Sequence, residues 1–263
     1  MIDLSAPWQD AASAGRRVGH TIEAHLAIGS TNDRAQQLLA DAATDGVVVV
    51  ADTQTAGRGR RGRGWLSPPG RSLAASAAIR PALGAHDAWQ LSLGAALATA
   101  TACDPIVELG LKWPNDLVAG DGRKVGGILI ETIVEADRLS GAVIGVGINV
   151  DWRRSEMPVE IRDTATSLLD LSGAGVEKVA LLARLLDALS DEVLAIERGA
   201  SPLERYRRRC VTLGAEVTVA TADATVVGRA VDLDPAGALV VDASDGRHVL
   251  ASGEVVRVHE TVR

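Results

Sequence analysis

Apolar and polar positions change period along the chain, and the changes predict its elements. The run GVVVVAD, residues 46–52, is short, apolar and β-branched, which predicts a buried strand. Just before it, STNDRAQQLLADAA (30–43) opens on cap-type residues, carries an acid at Asp33 and continues in good helix formers. It predicts a helix whose first turn offers free backbone N–H groups. RSLAASAAI (71–79), VELGLKW (107–113), KVGGILIET (124–132) and LSGAVIGVGINV (139–150) read as further strands, and DAWQLSLGAALATATA (87–102) as a buried helix. The Gly and Val content of these strands favours a sheet with one face covered by helices. From Val179 to Ile196, Leu182, Leu185, Leu186, Leu189, Val193 and Ile196 keep helical spacing, and SPLERYRRRC (201–210) begins with a serine cap and a proline in its first turn. After Val211 the period becomes two, punctuated by Asp-Pro, Ala-Gly and Asp-Gly turns, which predicts a small antiparallel barrel of about 50 residues. The first twenty-odd residues show no clear period and attract no functional assignment. The chain therefore divides into a domain over 1–210 and a smaller one over 211–263.

Composition narrows the class. With 263 residues and 47% hydrophobic content the chain furnishes a globular core. No basic, apolar and cleavage regions follow one another at the start, and no apolar stretch approaches the roughly 18 residues of a membrane span, so the expectation is a soluble, cytoplasmic protein without a membrane partner. Cys103 and Cys210 form no CxxC, and His20, His25, His86, His248 and His259 show no metal-ligand spacing, which argues against a protein-held zinc.

One bias draws the candidate chemistry together. The chain has 24 arginines but three lysines, three asparagines and no phenylalanine. Two of the three lysines and all three asparagines fall in four segments: Asn32 in STND, Lys112 and Asn115 in KWPND, Lys124 in RKVGG, and Asn149 in GVGIN. Arginine cannot imitate a compact ammonium, nor Asp the mixed donor and acceptor face of Asn, so these segments are expected to form one site. A fifth stretch, QTAGRGRRGRGW (54–65), places four arginines and four glycines in eight residues of a chain whose net charge is −7. Its glycines let backbone approach a ligand and its guanidiniums match phosphate or carboxylate oxygens. Four neighbouring cations repel one another unless an anion neutralises them. A nucleic-acid clamp is the competing reading, opposed by the short loop, the lack of repeated aromatics and a pI near 5.3. KVGG alone reads as a strand bulge, KWPND as a rigid strand-ending turn, and GVGIN as a glycine-rich core strand. No GxxxxGK[ST] loop is present, and GVGIN lacks the third glycine of a dinucleotide-binding turn.

Taken in order, STND, QTAGRGRRGRGW, KWPND, KVGGILIE and GVGIN resemble biotin protein ligase, the biotin–acetyl-CoA-carboxylase ligase family, over Ser30 to the C-terminus. The resemblance implies an α+β fold with a mixed sheet and helices, like class II aminoacyl-tRNA synthetases, plus a small C-terminal SH3-like β-barrel. It implies that ATP and biotin, with Mg²⁺, are converted to biotinyl-5′-AMP, and that biotin then passes to a lysine of the biotin carboxyl carrier domain of an acetyl-CoA, acyl-CoA or pyruvate carboxylase. Ser30, Thr31, Asn32 and Gln54 would hold the biotin rings. Gly57, Arg58, Gly59, Arg60, Gly126 and Gly127 would surround the rest of biotin. Lys124 and Arg63 would be catalytic, with Lys124 on the reacting carboxylate and α-phosphate. Arg58, Arg61, Arg63, Trp65, Lys112, Asn115, Asp116 and Asn149 would serve the nucleotide, with Asp116 the candidate contact for an Mg²⁺ that arrives on the ATP phosphates. The loop Gly57–Trp65 would be a lid, mobile until ligand binds. Only 29 residues precede Ser30, too few for the helix-turn-helix domain of regulatory members, so no DNA partner is expected. Members occur as monomers or homodimers. A lipoyl or octanoyl transferase of the same superfamily is the alternative enzyme.

Overall fold

The computed structural model describes residues 6–13, 15–41 and 43–259. The outermost lead-in residues, position 42 of the expected first helix, and 260–263 of the smaller domain lie outside them.

Seven strands form the large sheet: β1 (Thr21–Ile28), β2 (Val47–Gln54), β3 (Ser72–Ile79), β4 (Gly110–Lys112), β5 (Asp116–Val118), β6 (Lys124–Glu135) and β7 (Arg138–Asn149). Their spatial order is β1-β2-β3-β7-β6-β5-β4. β1 and β2 run parallel and every other neighbouring pair antiparallel, so the sheet is mixed. β1 escapes the hydrophobic pattern because it is an edge strand whose eight positions are half-buried or exposed at all but Ile22, and it carries no long apolar run. The expected strand 107–113 shrinks to β4, and Asp116, which reads as a strand terminator, instead opens β5.

Helices cover the sheet unequally. After a short α1 (Ala6–Gln9), α2 (Thr31–Leu38) packs its Ala35 and the following Leu39 against Val49, Ala78 and Val143. It stops short of the expected 43, and the Arg80 guanidinium donates to the carbonyls of Leu39 and Asp41 that the ended helix leaves without intrahelical partners. On the opposite face lie α3 (Trp89–Cys103) and, beyond α4 (Val159–Arg162) and α5 (Leu168–Ser172), the long α6 (Lys178–Glu197), followed by α7 (Leu203–Arg209). α3 is apolar all round and almost wholly buried, as a helix wedged between a sheet and other helices must be. The leucine stripe of α6 is buried as its spacing predicts.

Five further strands, β8 (Glu216–Ala220), β9 (Thr225–Leu233), β10 (Leu239–Ala243), β11 (Gly246–Leu250) and β12 (Glu254–His259), pair antiparallel in the order β11-β10-β9-β8-β12. Among the described residues this is an open five-stranded sheet whose edges are β11 and β12. It is not packed apart from the rest. Trp113 donates its indole N–H to the Gly237 carbonyl at 3.1 Å, the Val211 N–H bonds the Leu111 carbonyl at 2.9 Å, and one apolar core runs through both parts.

Candidate functional site

On the α2 side of the large sheet the floor is made of small residues. Ser76 on β3 pairs with Gly145 on β7, and Gly147 pairs with Gly127 on β6. Above this floor opens a cleft of about 1140 Å³.

At one end stands a network of uncharged side chains backed by the Glu131 carboxylate. Ser30 caps α2, its hydroxyl accepting the Asp33 N–H at 3.4 Å. The backbone N–H and hydroxyl of Thr31 both donate to Gln54 Oε1, at 2.9 and 3.1 Å. Ser76 Oγ lies 2.7 Å from Thr31 Oγ1 and 2.6 Å from Asn32 Oδ1, while Asn32 Nδ2 donates to Glu131 at 2.8 Å. Ser30, Thr31, Asn32 and Ser76 are buried, so their polar atoms are held in fixed directions.

The other end is cationic. The arginine loop forms a small hairpin: Arg58 bridges Gly64, Gly59 N–H bonds the Arg63 carbonyl at 2.7 Å, and Trp65 N–H bonds the Gly57 carbonyl at 2.8 Å. Its tip turns through left-handed backbone at Arg61 (φ 58°) and Gly62 (φ 74°). The anion that this charge demands comes in part from the protein itself. Arg58 pairs with Asp33 and with Glu131, and Arg63 with Glu254 on β12. Arg61 donates to the carbonyls of Ala220 and Thr221 at 3.0 and 3.1 Å, and Arg60 to Asn115 Oδ1 at 3.3 Å. Burial lowers the Arg60 pKa, with Asp116 opposing the shift and Arg61 and Arg63 adding to it.

Lys124 joins the two ends. It is the first residue of β6, its N–H bonded to the Thr164 carbonyl and its carbonyl to Thr166 N–H, at 2.8 and 2.9 Å. Its ammonium meets Asp116 at 2.5 Å and stands 5.7 Å above the centre of the Trp65 ring. Lys112, on β4, lies half-buried in the same cleft. Desolvation lowers its pKa, partly opposed by Asp116 and reinforced by Lys124. Asn115 and Asn149 hand their amide N–H groups to the carbonyls of Ile128 and Thr166, at 2.8 and 3.0 Å. The cleft thus sets an array of cations beside a neutral recognition pocket, an arrangement suited to bringing one anion against another.

Ser30, Thr31, Asn32, Gln54, Arg58, Gly59, Arg60, Arg63, Trp65, Lys112, Asn115, Asp116, Lys124, Gly127 and Asn149 all border this one cleft. Three expected residues do not. Gly57 is turned toward the loop, where a Cβ would stand 2.5 Å from the Trp65 carbonyl oxygen. Gly126 faces backbone, and a Cβ there would stand 2.7 Å from the Gly147 carbonyl oxygen, so it serves strand approach rather than the ligand surface expected of it. Arg61 borders a smaller adjoining cleft with Pro114 and Gly253. Ser76, Glu131, Gly145, Gly147 and Glu254 join the site without having been expected there. The signal for Glu131 is a carboxylate at the end of the apolar run VGGILI; for Ser76 and Glu254 no local signal exists.

Comparison with known proteins gives the family. Residues 26–149 match the biotin/lipoate A/B protein ligase family, and residues 212–258 match the biotin protein ligase C-terminal domain. The biotin–[acetyl-CoA-carboxylase] ligase of Mycobacterium tuberculosis is 38% identical over 240 residues, covering 88% of this chain and 86% of that protein. Its counterpart from Paracoccus denitrificans is 34% identical over 233 residues, covering 86% and 96%. The solved biotin protein ligase of Aquifex aeolicus in complex with biotin and ATP is similar with a TM-score of 0.77 and 29% identity, over 92% of this chain and 99% of that one. This chain belongs to the biotin protein ligase family.

Proposed function

We infer that the chain is an ATP-dependent biotin protein ligase, which forms biotinyl-5′-AMP and transfers the biotinyl group to a lysine of a carboxylase carrier domain. The observation that carries the reading is the joining, by Lys124, of a neutral hydrogen-bonding pocket and a cationic loop in a single cleft. At about 1140 Å³ it exceeds the roughly 300–1,000 Å³ that one small ligand needs. Two substrates fit that volume.

Biotin's ureido group has both donors and acceptors, and the Asn32 carboxamide, the Thr31 hydroxyl and the Ser30 cap offer complementary atoms from buried positions. In the first step a biotin carboxylate oxygen bonds the α-phosphorus of ATP, and the bond from that phosphorus to pyrophosphate breaks. The approach sets anion against anion, a repulsion of about 4 kcal/mol per charge pair at about 4 Å and an effective dielectric near 20. Lys124, Arg60 and Arg63 offset it, with Arg58 and Arg61 holding the loop over the cleft and Lys112 and Trp65 on the nucleotide. In the second step the neutral lysine amine of the acceptor attacks the acyl carbon, and AMP leaves with the bonding pair.

Mg²⁺ enters as part of the nucleotide substrate. There it would keep mostly phosphate and water ligands and take Asp116 as one carboxylate. We further propose the division into 1–210 and 211–263, closure of the C-terminal sheet into an SH3-like barrel, and a cytoplasmic location where ATP is available. No described helix is long and apolar enough to cross a membrane. The loop's arginines are engaged with carboxylates and carbonyls rather than presented as a basic face, which supports a protein that does not act on DNA.

The test is mass spectrometry of a carrier domain incubated with ATP, Mg²⁺ and biotin. A single biotinyl addition on one lysine is expected. No addition, or addition with lipoate in place of biotin, overturns the reading.

Lys112 supplies a pH dependence. Its folded pKa is lowered and the unfolded side chain holds its proton to the ordinary value of 10.5. Between the two values the unfolded state binds more protons, so the cost of burying this charge is present below the folded pKa and fades as pH rises toward 10.5. The charge that nucleotide binding uses disappears over the same window. Lys112→Arg retains its charge there. The KM for ATP is expected to climb on the alkaline side in the native enzyme and to climb at higher pH in Lys112→Arg. Superimposable alkaline limbs would show that Lys112 takes no part in binding.

A further inference from the structure

We propose that Gly145 and Gly147 are two separate positioning residues: Gly145 sets the Asn32 carboxamide on the biotin side of the cleft, and Gly147 sets the Trp65 indole on the nucleotide side. The proposal rests on the ligase reading and deepens it, assigning each glycine of GVG to one substrate.

Residues 145 and 147 are alternate positions of β7, so both present to the same face, the floor of the cleft. Neither has the positive φ that would demand glycine for backbone reasons. Gly62 and Gly70 are the contrast: they do have positive φ, and a Cβ on either would meet open space. At 145 and 147 the decisive feature is the missing Cβ.

A Cβ at 145 would overlap Asn32 Oδ1 and stand 2.9 Å from its Cγ. Asn32 cannot give way cheaply. It is buried, Oδ1 lies 2.6 Å from Ser76 Oγ, and Nδ2 donates to Glu131 at 2.8 Å. Any shift that clears a methyl group breaks one of these bonds and turns the carboxamide away from the pocket.

A Cβ at 147 would stand 2.7, 2.8 and 3.0 Å from Trp65 Cε2, Cζ2 and Nε1. The indole lies flat on bare backbone at that point, with the Lys124 ammonium 5.7 Å above its ring centre. Its Nε1 is buried without a hydrogen-bond partner among the described residues, so the ring is positioned by packing on the Gly147 backbone and by the Lys124 ammonium. A methyl group at 147 would lift the ring and leave Asn32 untouched.

The two effects are therefore separable. In biotin-dependent ATP–pyrophosphate exchange, Gly145→Ala is expected to raise the KM for biotin by about tenfold to about a hundredfold, with the KM for ATP within about twofold; Gly147→Ala is expected to do the reverse. The same geometry is read without activity by double-mutant cycles on the unfolding midpoint. The destabilisation caused by Gly145→Ala should vanish in an Asn32→Ala background, and that caused by Gly147→Ala in a Trp65→Ala background. If a single variant fails to fold, its double variant should fold. The positioning roles are overturned if destabilisation is undiminished in the double variants, or if the doubles of non-folding singles do not fold either. The assignment of one substrate to each glycine is overturned if both variants raise both KM values equally. Absence of biotin-dependent exchange in the native chain, with the unfolding cycles behaving as expected, would sink the ligase reading and leave the positioning roles standing.

Discussion

Lys124→Ala is expected to lower biotin-dependent pyrophosphate exchange by about a thousandfold while the protein stays folded. The backbone of Lys124 is held on both sides by Thr164 and Thr166, and those bonds do not depend on its side chain, so truncation leaves β6 in register. What is lost is the ammonium that joins the neutral pocket to the cationic loop. Asp116 then remains in the cleft as an unpaired carboxylate, on the side where a biotin carboxylate and a nucleotide phosphate must meet. Removing a cation and unmasking an anion act in the same direction. Lys124→Arg should recover little, because Nζ already lies near the space above Gly127, where even a Cβ would stand 3.2 Å away, and the broader guanidinium has no equal seat. Asp116→Asn added to Lys124→Ala should recover part of the loss by removing the unmasked charge. A loss of less than about tenfold in Lys124→Ala would remove Lys124 from the chemistry.

The residues that are scarce in the composition were the legible ones. Where arginine dominates, a retained lysine or asparagine points to a position that arginine or aspartate fills poorly, and Lys112, Lys124, Asn32, Asn115 and Asn149 do converge on one cleft, whereas the third lysine, Lys178, lies outside it and pairs with Asp52 at 2.8 Å. The helical stripe of α6 and the period-two segment after Val211 were likewise legible, since burial of one face imposes its period on the sequence. The edge strand β1 was not, because an edge half-buried on each side imposes none.

The partners of the arginines were hidden for a different reason. Asp33, Glu131 and Glu254 stand 25, 73 and 191 positions away from the arginines they meet. Nothing local in the sequence connects them, and the loop read alone looks like unneutralised charge seeking a ligand. Gly145 and Gly147 were hidden similarly. Within GVGIN they look like strand packing, and their purpose emerges only once Asn32 and Trp65, from distant elements, are laid over them.

Arg63 should show the second large effect, and its partner the opposite sign. Its guanidinium rests on Glu254 of β12, while Arg61 beside it grips the carbonyls of Ala220 and Thr221, so the loop is fastened to the C-terminal sheet at two points. Glu254 also borders the cleft, which makes it an intramolecular competitor for the phosphate that Arg63 would bind. Arg63→Ala is expected to lower adenylate formation by about a hundredfold and to leave Glu254 as uncompensated negative charge facing the nucleotide. Glu254→Gln keeps the shape, removes the competing charge, and should leave turnover within about threefold of the native value while lowering the KM for ATP. The double variant should bind ATP better than Arg63→Ala alone, because the repelling anion is gone. Limited proteolysis reads the fastening separately. Both single variants should be cut faster than the native chain within Gly57–Trp65 when no ligand is present, and biotinyl-5′-AMP should restore protection in Glu254→Gln but not in Arg63→Ala. If Glu254→Gln loses as much activity as Arg63→Ala, the ion pair is part of the working site rather than a rest position, and Arg63 acts through the C-terminal sheet instead of on phosphate.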